Sequence, residues 1–144
     1  MLAKTKVLVV DDEELDRAQI SQLLKARGWT VLGADSYSQA MAVFDLNRST
    51  IQLLVADLSL PDGNGCALAI EVQKQRPDIR VLFISGHVGA EVCKYYGLEV
   101  TDLHFLKKPF TGKELWTGVQ AVLRADTSPT LTGAKPLTSM GRAQ

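Results

Sequence analysis

Val7-Leu8-Val9-Val10-Asp11-Asp12-Glu13 is the stretch that decides the fold: four apolar, mostly β-branched residues that run without a break into three acids. A strand with one wet face would alternate apolar and polar residues, so an unbroken run indicates a strand covered on both faces. Leu53 to Ala56 and Val81 to Ile84 repeat the pattern. Each run is only four residues long, far short of the roughly 20 that cross a bilayer, so no membrane helix is expected. The sequence predicts strands over Lys6 to Val10, Thr30 to Ala34, Ile51 to Ala56, Ile79 to Ile84 and Leu103 to Leu106, with helical periodicity between them. Strands and helices that alternate in this way form βαβ units and a mainly parallel sheet.

The helices carry their own signals. Ile20, Leu23, Leu24 and Arg27 fall at i, i+3, i+4 and i+7, which predicts a helix over about Glu14 to Arg27, stopped by Gly28, with Arg27 at the edge of the apolar stripe. Ser36 with Gln39, and Thr111 with Glu114, have capping-box spacing ahead of apolar periodic segments. A third helix over about Cys66 to Gln75 ends before Pro77, and a short fourth fits between Ala90 and Tyr96 with Gly97 as its stop. Leu98 to Asp102 then reads as a loop. From Asp126 the chain turns rich in Ser, Thr, Pro and Gly, so residues 125–144 are expected to be a flexible tail or linker. The expectation is therefore an α/β domain, a doubly wound five-stranded parallel sheet of order 2-1-3-4-5 and flavodoxin-like (βα)5 form.

Composition narrows the function. Sixteen basic residues balance sixteen acidic ones, which argues against a basic footprint for nucleic acid or acidic lipid. Lys4 and Lys6 precede an apolar run, but Asp11 and Asp12 interrupt it too early for a secretory signal, so a cytoplasmic location is expected. Cys66 and Cys93 have no CxxC spacing and suggest neither a zinc site nor a disulfide framework; they read as reduced, small apolar residues.

Sites in doubly wound sheets lie at the carboxyl ends of the strands. Strand one is followed by Asp11, Asp12 and Glu13, the third by Asp57, the fourth by Ser85 and the fifth by Lys107 and Lys108. In the order 2-1-3-4-5, strands one and three are neighbours, which brings Asp11, Asp12 and Asp57 into one pocket flanked by Ser85 and Lys108. Like charges about 4 Å apart repel by roughly 4 kcal/mol at an effective dielectric of about 20, so the cluster calls for a hard divalent cation. Mg²⁺, or Mn²⁺ in its place, keeps coordination sites for a phosphoryl group, and a lysine completes the cradle. Ionised Asp57 is then a nucleophile toward a phosphoryl donor, because such transfer depends on positioning and charge neutralisation. Taken singly, each residue has a blander reading: a solvated helix start, a turn former before Pro61 and Gly63, a loop serine, a surface lysine. Their order at successive strand ends is what points to phosphoryl chemistry.

At these residues the chain resembles the receiver domain of two-component response regulators, over about residues 4–124. The carriers are Val7 to Glu13, Asp57-Leu58-Ser59-Leu60-Pro61 with Gly65, Phe83-Ile84-Ser85-Gly86, and Phe105-Leu106-Lys107-Lys108-Pro109-Phe110. The resemblance implies that Asp57 accepts the phosphoryl group from a histidine kinase or a histidine phosphotransfer protein. It implies that Asp11, Asp12, Asp57 and the Ser59 carbonyl bind Mg²⁺, that Lys108 pairs with the phosphoryl oxygens, and that the bond before Pro109 is cis. Ser85 stands where the family often has threonine and keeps the hydroxyl. Phe105 stands where many members have a tyrosine or another aromatic that moves between outward and inward positions, so the resemblance implies a switch that can use inward packing without the phenol hydrogen bond. Ser59 and His87 occupy the positions that modulate phosphate lifetime, and His104 reads as packing.

A receiver is no enzyme in the ordinary sense: it catalyses its own phosphotransfer and slow dephosphorylation. Its expected partners are the kinase and either an output protein or domain or a second copy, through the face of the fourth and fifth helices, where Tyr95, Tyr96 and Trp116 lie. Direct nucleic-acid binding and membrane insertion are not expected. Nothing after Leu123 resembles an output module, so the chain reads as a stand-alone receiver or one excised from a longer regulator or hybrid histidine kinase. A haloacid-dehalogenase-like phosphohydrolase would also use an aspartyl phosphate, but it needs D-x-D, and Ser59 stands two after Asp57 and Glu13 two after Asp11. Gly63-Asn64-Gly65 begins a G-x-G-x-x-G motif that Leu68 breaks.

Overall fold

In the computed structural model, which describes residues 5–86, 90–101, 104–125 and 130–131, the apolar runs become the centre of a parallel sheet. The elements are β1 (Lys6–Val10), α1 (Glu14–Ala26), β2 (Thr30–Ala34), α2 (Tyr37–Leu46), β3 (Ile51–Asp57), β4 (Ser59–Leu60), β5 (Gly63–Asn64), α3 (Gly65–Gln75), β6 (Arg80–Ser85), α4 (Ala90–Tyr95), β7 (Leu98–Glu99), β8 (Phe105–Lys107), α5 (Gly112–Arg124) and β9 (Thr130–Leu131). The main sheet has the order β2-β1-β3-β6-β8 with every pairing parallel, which is the expected 2-1-3-4-5 once the short strands are set aside.

Side chains sort by the period of two. Leu8, Val10, Leu54, Ala56, Val81 and Phe83 face one core, built with Ala40 and Phe44 of α2 and Leu68, Ala69 and Val72 of α3. Val7, Val9, Leu53, Val55, Leu82 and Ile84 face the other, with Ile20 and Leu24 of α1 and Leu115, Val119 and Val122 of α5. Both faces are buried, which is why the runs show no alternation. Arg27, just past α1, stacks its guanidinium 4.5 Å from the Trp116 ring centroid, and Trp116 packs with the α1 side. The Thr111–Glu114 capping box forms in both directions, at 3.1 and 2.8 Å. The other is altered: Ser36 Oγ accepts from Gln39 N, but Gln39 Oε1 turns back to Asp35 N instead of Ser36 N.

Three expectations are corrected. Cys66 and Cys93 are not reduced: they form a disulfide with Cα atoms 5.3 Å apart, because the fold lays the first turn of α3 beside α4 although 27 positions separate them. Leu98 to Asp102 is not all loop, since Leu98 and Glu99 form β7. The tail is not wholly without structure either, since Thr130 and Leu131 return as β9 and pair antiparallel with Glu99 and Leu98. Two strands also shift: β6 begins one residue later than expected, and β8 covers Phe105 to Lys107, with His104 in the turn before it and Leu103 outside the described residues. No helix among the described residues is long and apolar enough to cross a membrane.

Candidate functional site

The register aligns the strand ends. Val10 pairs with Ala56, Asp57 with Ile84, and Ser85 with Lys107, so the next residues meet at one rim. The backbone continues this alignment past the strands: Leu58 N donates to Ile84 O at 2.9 Å and Lys108 N to Ser85 O at 2.8 Å. Asp11, Asp57 and Ser85 are buried there, Asp11 completely, while Asp12 is exposed at the mouth. A cleft of about 370 Å³ opens above them, lined by Asp12, Glu13, Asp57, Leu58, Ser59, Gly86 and Lys108.

The two buried acids share one design. Asp11 Oδ1 accepts from Glu13 N at 2.9 Å, and Asp57 Oδ1 accepts from Ser59 N at 3.0 Å, so each carboxylate is folded over its own backbone two residues on. That leaves both Oδ2 atoms to Lys108 Nζ, which lies 2.8 Å from Asp57 and 3.2 Å from Asp11. The bond before Pro109 is cis, as the resemblance implies. Gly65 makes the acceptor loop possible: a Cβ there would sit 2.5 Å from the Asp57 carbonyl oxygen. Asn64 caps α3 through Ala67 N, and Asp62 accepts from Tyr37 N and Ser38 N, tying the loop to the start of α2.

Electrostatics follow from burial. Desolvation raises the Asp11 pKa to about 6; the Glu13 N–H opposes this and the charge of Asp57 adds to it. Burial works against the Lys108 ammonium, but hydrogen bonds to Asp57 and Asp16 and the charges of Asp11 and Asp57 outweigh it and hold its pKa above the usual lysine value. A cation fits this donor set. Carboxylate oxygens of Asp11, Asp12 and Asp57 lie within 4.8 Å of one another, and buried Asp11 Oδ2 has no hydrogen bond, only the 3.2 Å ion pair with Lys108. An all-oxygen set of carboxylates suits Mg²⁺ or Mn²⁺.

The structure brings together Asp11, Asp12, Asp57, Ser59, Ser85 and Lys108 as the sequence predicts. A family model described as the response regulator receiver domain matches residues 7–120. The chain is a receiver domain. It is 32% identical over 117 residues, 81% of its length, to the sensor kinase CckA of Brucella abortus (strain 2308), and 32% identical over 119 residues, 83% of its length, to the transcriptional regulatory protein CpxR of Klebsiella pneumoniae subsp. pneumoniae (strain HS11286). It spans 12% of that kinase and 49% of that regulator. Among solved structures it is similar to a response regulator receiver domain protein from Clostridium thermocellum, with 28% identity, a TM-score of 0.71 and coverage of 83% of this chain and 95% of that one. The receiver domain from the hybrid histidine kinase CckA gives 33% identity, a TM-score of 0.67 and coverage of 83% and 99%. Receivers are the phosphoacceptor domains of two-component systems.

Phe105 of this receiver stacks on Phe83 with ring centroids 5.4 Å apart, half-buried against the core on the α3 side. His104 is buried in packing: its Nδ1 accepts from Thr101 N at 3.1 Å, and burial lowers its pKa. Trp116 faces α1, whereas Tyr95 is exposed at the end of α4. His87 lies outside the described residues. Two residues of the rim escaped the sequence reading. Arg17 Nη1 donates to the Asp11 carbonyl oxygen at 2.7 Å, and Asp16 lies 2.9 Å from Lys108 Nζ. Both sit in the first turn and a half of α1, where acids read as dipole partners and an arginine as surface; only their position facing the fifth strand's lysine distinguishes them.

Proposed function

We propose that this receiver is a phosphorylation-activated switch, taking a phosphoryl group onto Asp57 from a phosphohistidine of a histidine kinase or phosphotransfer protein. The observation that carries the reading is the buried Asp57 carboxylate with Oδ1 fixed by Ser59 N–H and Oδ2 held by Lys108. An Asp57 carboxylate oxygen forms the new bond to phosphorus as the donor's P–N bond breaks, and the departing imidazole keeps the electron pair and takes a proton from water. Lys108 then pairs with the phosphoryl oxygens, and Ser85 supplies a hydroxyl donor from the adjacent strand end. Asp11, Asp12, Asp57 and the Ser59 main-chain carbonyl would hold Mg²⁺ or Mn²⁺, which supplies charge neutralisation for the transferring group. Ser59 and His87 are the proposed modulators of phosphate lifetime. Ser85 and Phe105 form the proposed switch, and the changed surface on the α4 and α5 side meets an output protein, an output domain or a second copy.

The test is incubation with acetyl phosphate and Mg²⁺, read by intact mass and by the alkali lability of an acyl phosphate. The wild type should gain one phosphoryl group, and Asp57→Asn and metal-free samples should gain none. Phosphorylation that survives in Asp57→Asn would overturn the assignment. A phosphohydrolase would instead turn over generic phosphomonoesters continuously. The 33% identical receiver of a hybrid kinase supports the reading that this domain also belongs to a longer protein, which an in-frame neighbouring coding sequence would reveal.

A further inference from the structure

Lys108 has more partners than phosphoryl transfer requires. Its ammonium has three N–H donors, and its two shortest contacts are Asp57 Oδ2 at 2.8 Å and Asp16 Oδ2 at 2.9 Å; Asp11 lies at 3.2 Å and Glu13 at 3.8 Å. Asp16 differs from the others. It projects from α1 and not from a strand end, and it is not a member of the Asp11, Asp12 and Asp57 group that fits a divalent cation, although it shares Asp11 with it. It also belongs to a second close set of acids, with Asp11 and Glu13, and there the cation already present is Lys108 itself.

We propose that Asp16 is a positioning residue for the phosphoryl transfer, fixing the Lys108 ammonium from the α1 side so that one N–H stays aimed at the Asp57 carboxylate. The inference rests on the Asp57 acceptor reading. A lysine side chain is long and rotamer-rich, and without Asp16 its only close partners would be Asp57 and Asp11, both at the strand ends, so the head could swing between them. A further anchor from α1 restricts that motion, which matters because positioning supplies much of the catalysis in phosphoryl transfer. The pair is sheltered, with side chains 19% and 29% exposed, unlike the exposed pairs that couple weakly. The Asp16 carboxyl is accordingly held below the usual carboxylate range by Lys108 first and Glu13 second.

The experiment uses the full chain with Asp16→Asn and Asp16→Glu, and acetyl phosphate as donor, so that no protein docking enters. In Mg²⁺, Asp16→Asn should lower the maximal phosphorylation rate about fivefold, equivalent to about 1 kcal/mol, with the half-saturating acetyl phosphate concentration unchanged. Asp16→Glu should recover most of the rate. In metal-free protein, the slowly exchanging ¹⁵N ammonium resonance of Lys108 should be sharp in the wild type and in Asp16→Glu, and broadened in Asp16→Asn, with the thermal midpoint unchanged. A wild-type rate and a wild-type Lys108 resonance in Asp16→Asn would overturn the inference. A wild type that takes no phosphoryl group on Asp57 would instead defeat the acceptor reading, and the Lys108 resonance would still decide whether Asp16 positions the ammonium.

Discussion

Asp11 is completely buried, yet its Oδ2 meets only a lysine that three other acids also claim. Its pKa of about 6, raised by desolvation from an ordinary 3.8, has a consequence for stability. Between those values the native chain binds the proton that the unfolded chain has already released. The contribution of Asp11 in metal-free protein is therefore most favourable at the acid end and falls as pH rises through 4 to 6, by up to about 3 kcal/mol. Urea unfolding of wild type and Asp11→Asn across that window should show stability falling more steeply with pH in the wild type than in the variant, and Mg²⁺ should reduce the difference. Gly65→Ala should cost about 2 kcal/mol, because the new Cβ would press on the Asp57 carbonyl at 2.5 Å, where backbone has to move. Denaturation midpoints check this, and the same variant should slow phosphorylation by displacing the acceptor. Asp11, Asp57 and Ser85 were legible because each directly follows an apolar run, and Lys108 because it follows one with only Lys107 between. Asp16 falls four residues before Ile20, in line with the buried stripe of α1, but spacing along one helix does not say that Lys108 from the fifth strand stands opposite it.

Helix α5 has the clearest start in the molecule, with Thr111 and Glu114 exchanging bonds at 3.1 and 2.8 Å. Thr111→Ala should lower stability by about 1 kcal/mol, measured by chemical denaturation, and leave the phosphoryl pocket unaltered. The capping signals of α2 and α5 were readable because they depend on residues three apart; the reach of Gln39 to Asp35 in place of Ser36 is a detail of rotamer that spacing does not determine. β7 and β9 show the opposite case. Each has two residues, too few for any periodicity, and their pairing joins positions more than thirty apart. The Cys66–Cys93 bond is similar: cysteine spacing along the chain is silent on the packing of α3 against α4 that brings the two together. By loop-closure entropy a bridge over 27 positions stabilises by about 3.5 kcal/mol, so reduction should lower the urea midpoint correspondingly, and thiol counting before and after reductant should find two new thiols in unfolded protein.

Across the whole domain, sixteen positive and sixteen negative charges cancel, but they are not spread evenly: Asp11, Asp12, Glu13, Asp16 and Asp57 crowd the carboxyl end of the sheet around Lys108. Fold and site emerge from one fact, that both faces of a parallel sheet are covered and its strand ends alone remain open. A divalent ion that binds only the folded form should therefore raise the thermal midpoint in proportion to the logarithm of its concentration, and Asp12→Ala should abolish the effect. The disulfide has a mechanical consequence as well. It closes a covalent ring that contains β6, the strand between β3 and β8, together with most of α3 and all of the crossing to α4. Pulled from its ends, the oxidised chain cannot pay out those 27 positions, so its unravelled contour should be shorter than that of the reduced chain by about 90 Å, and β6 should stay inside the ring as a knot-like bead on the stretched strand.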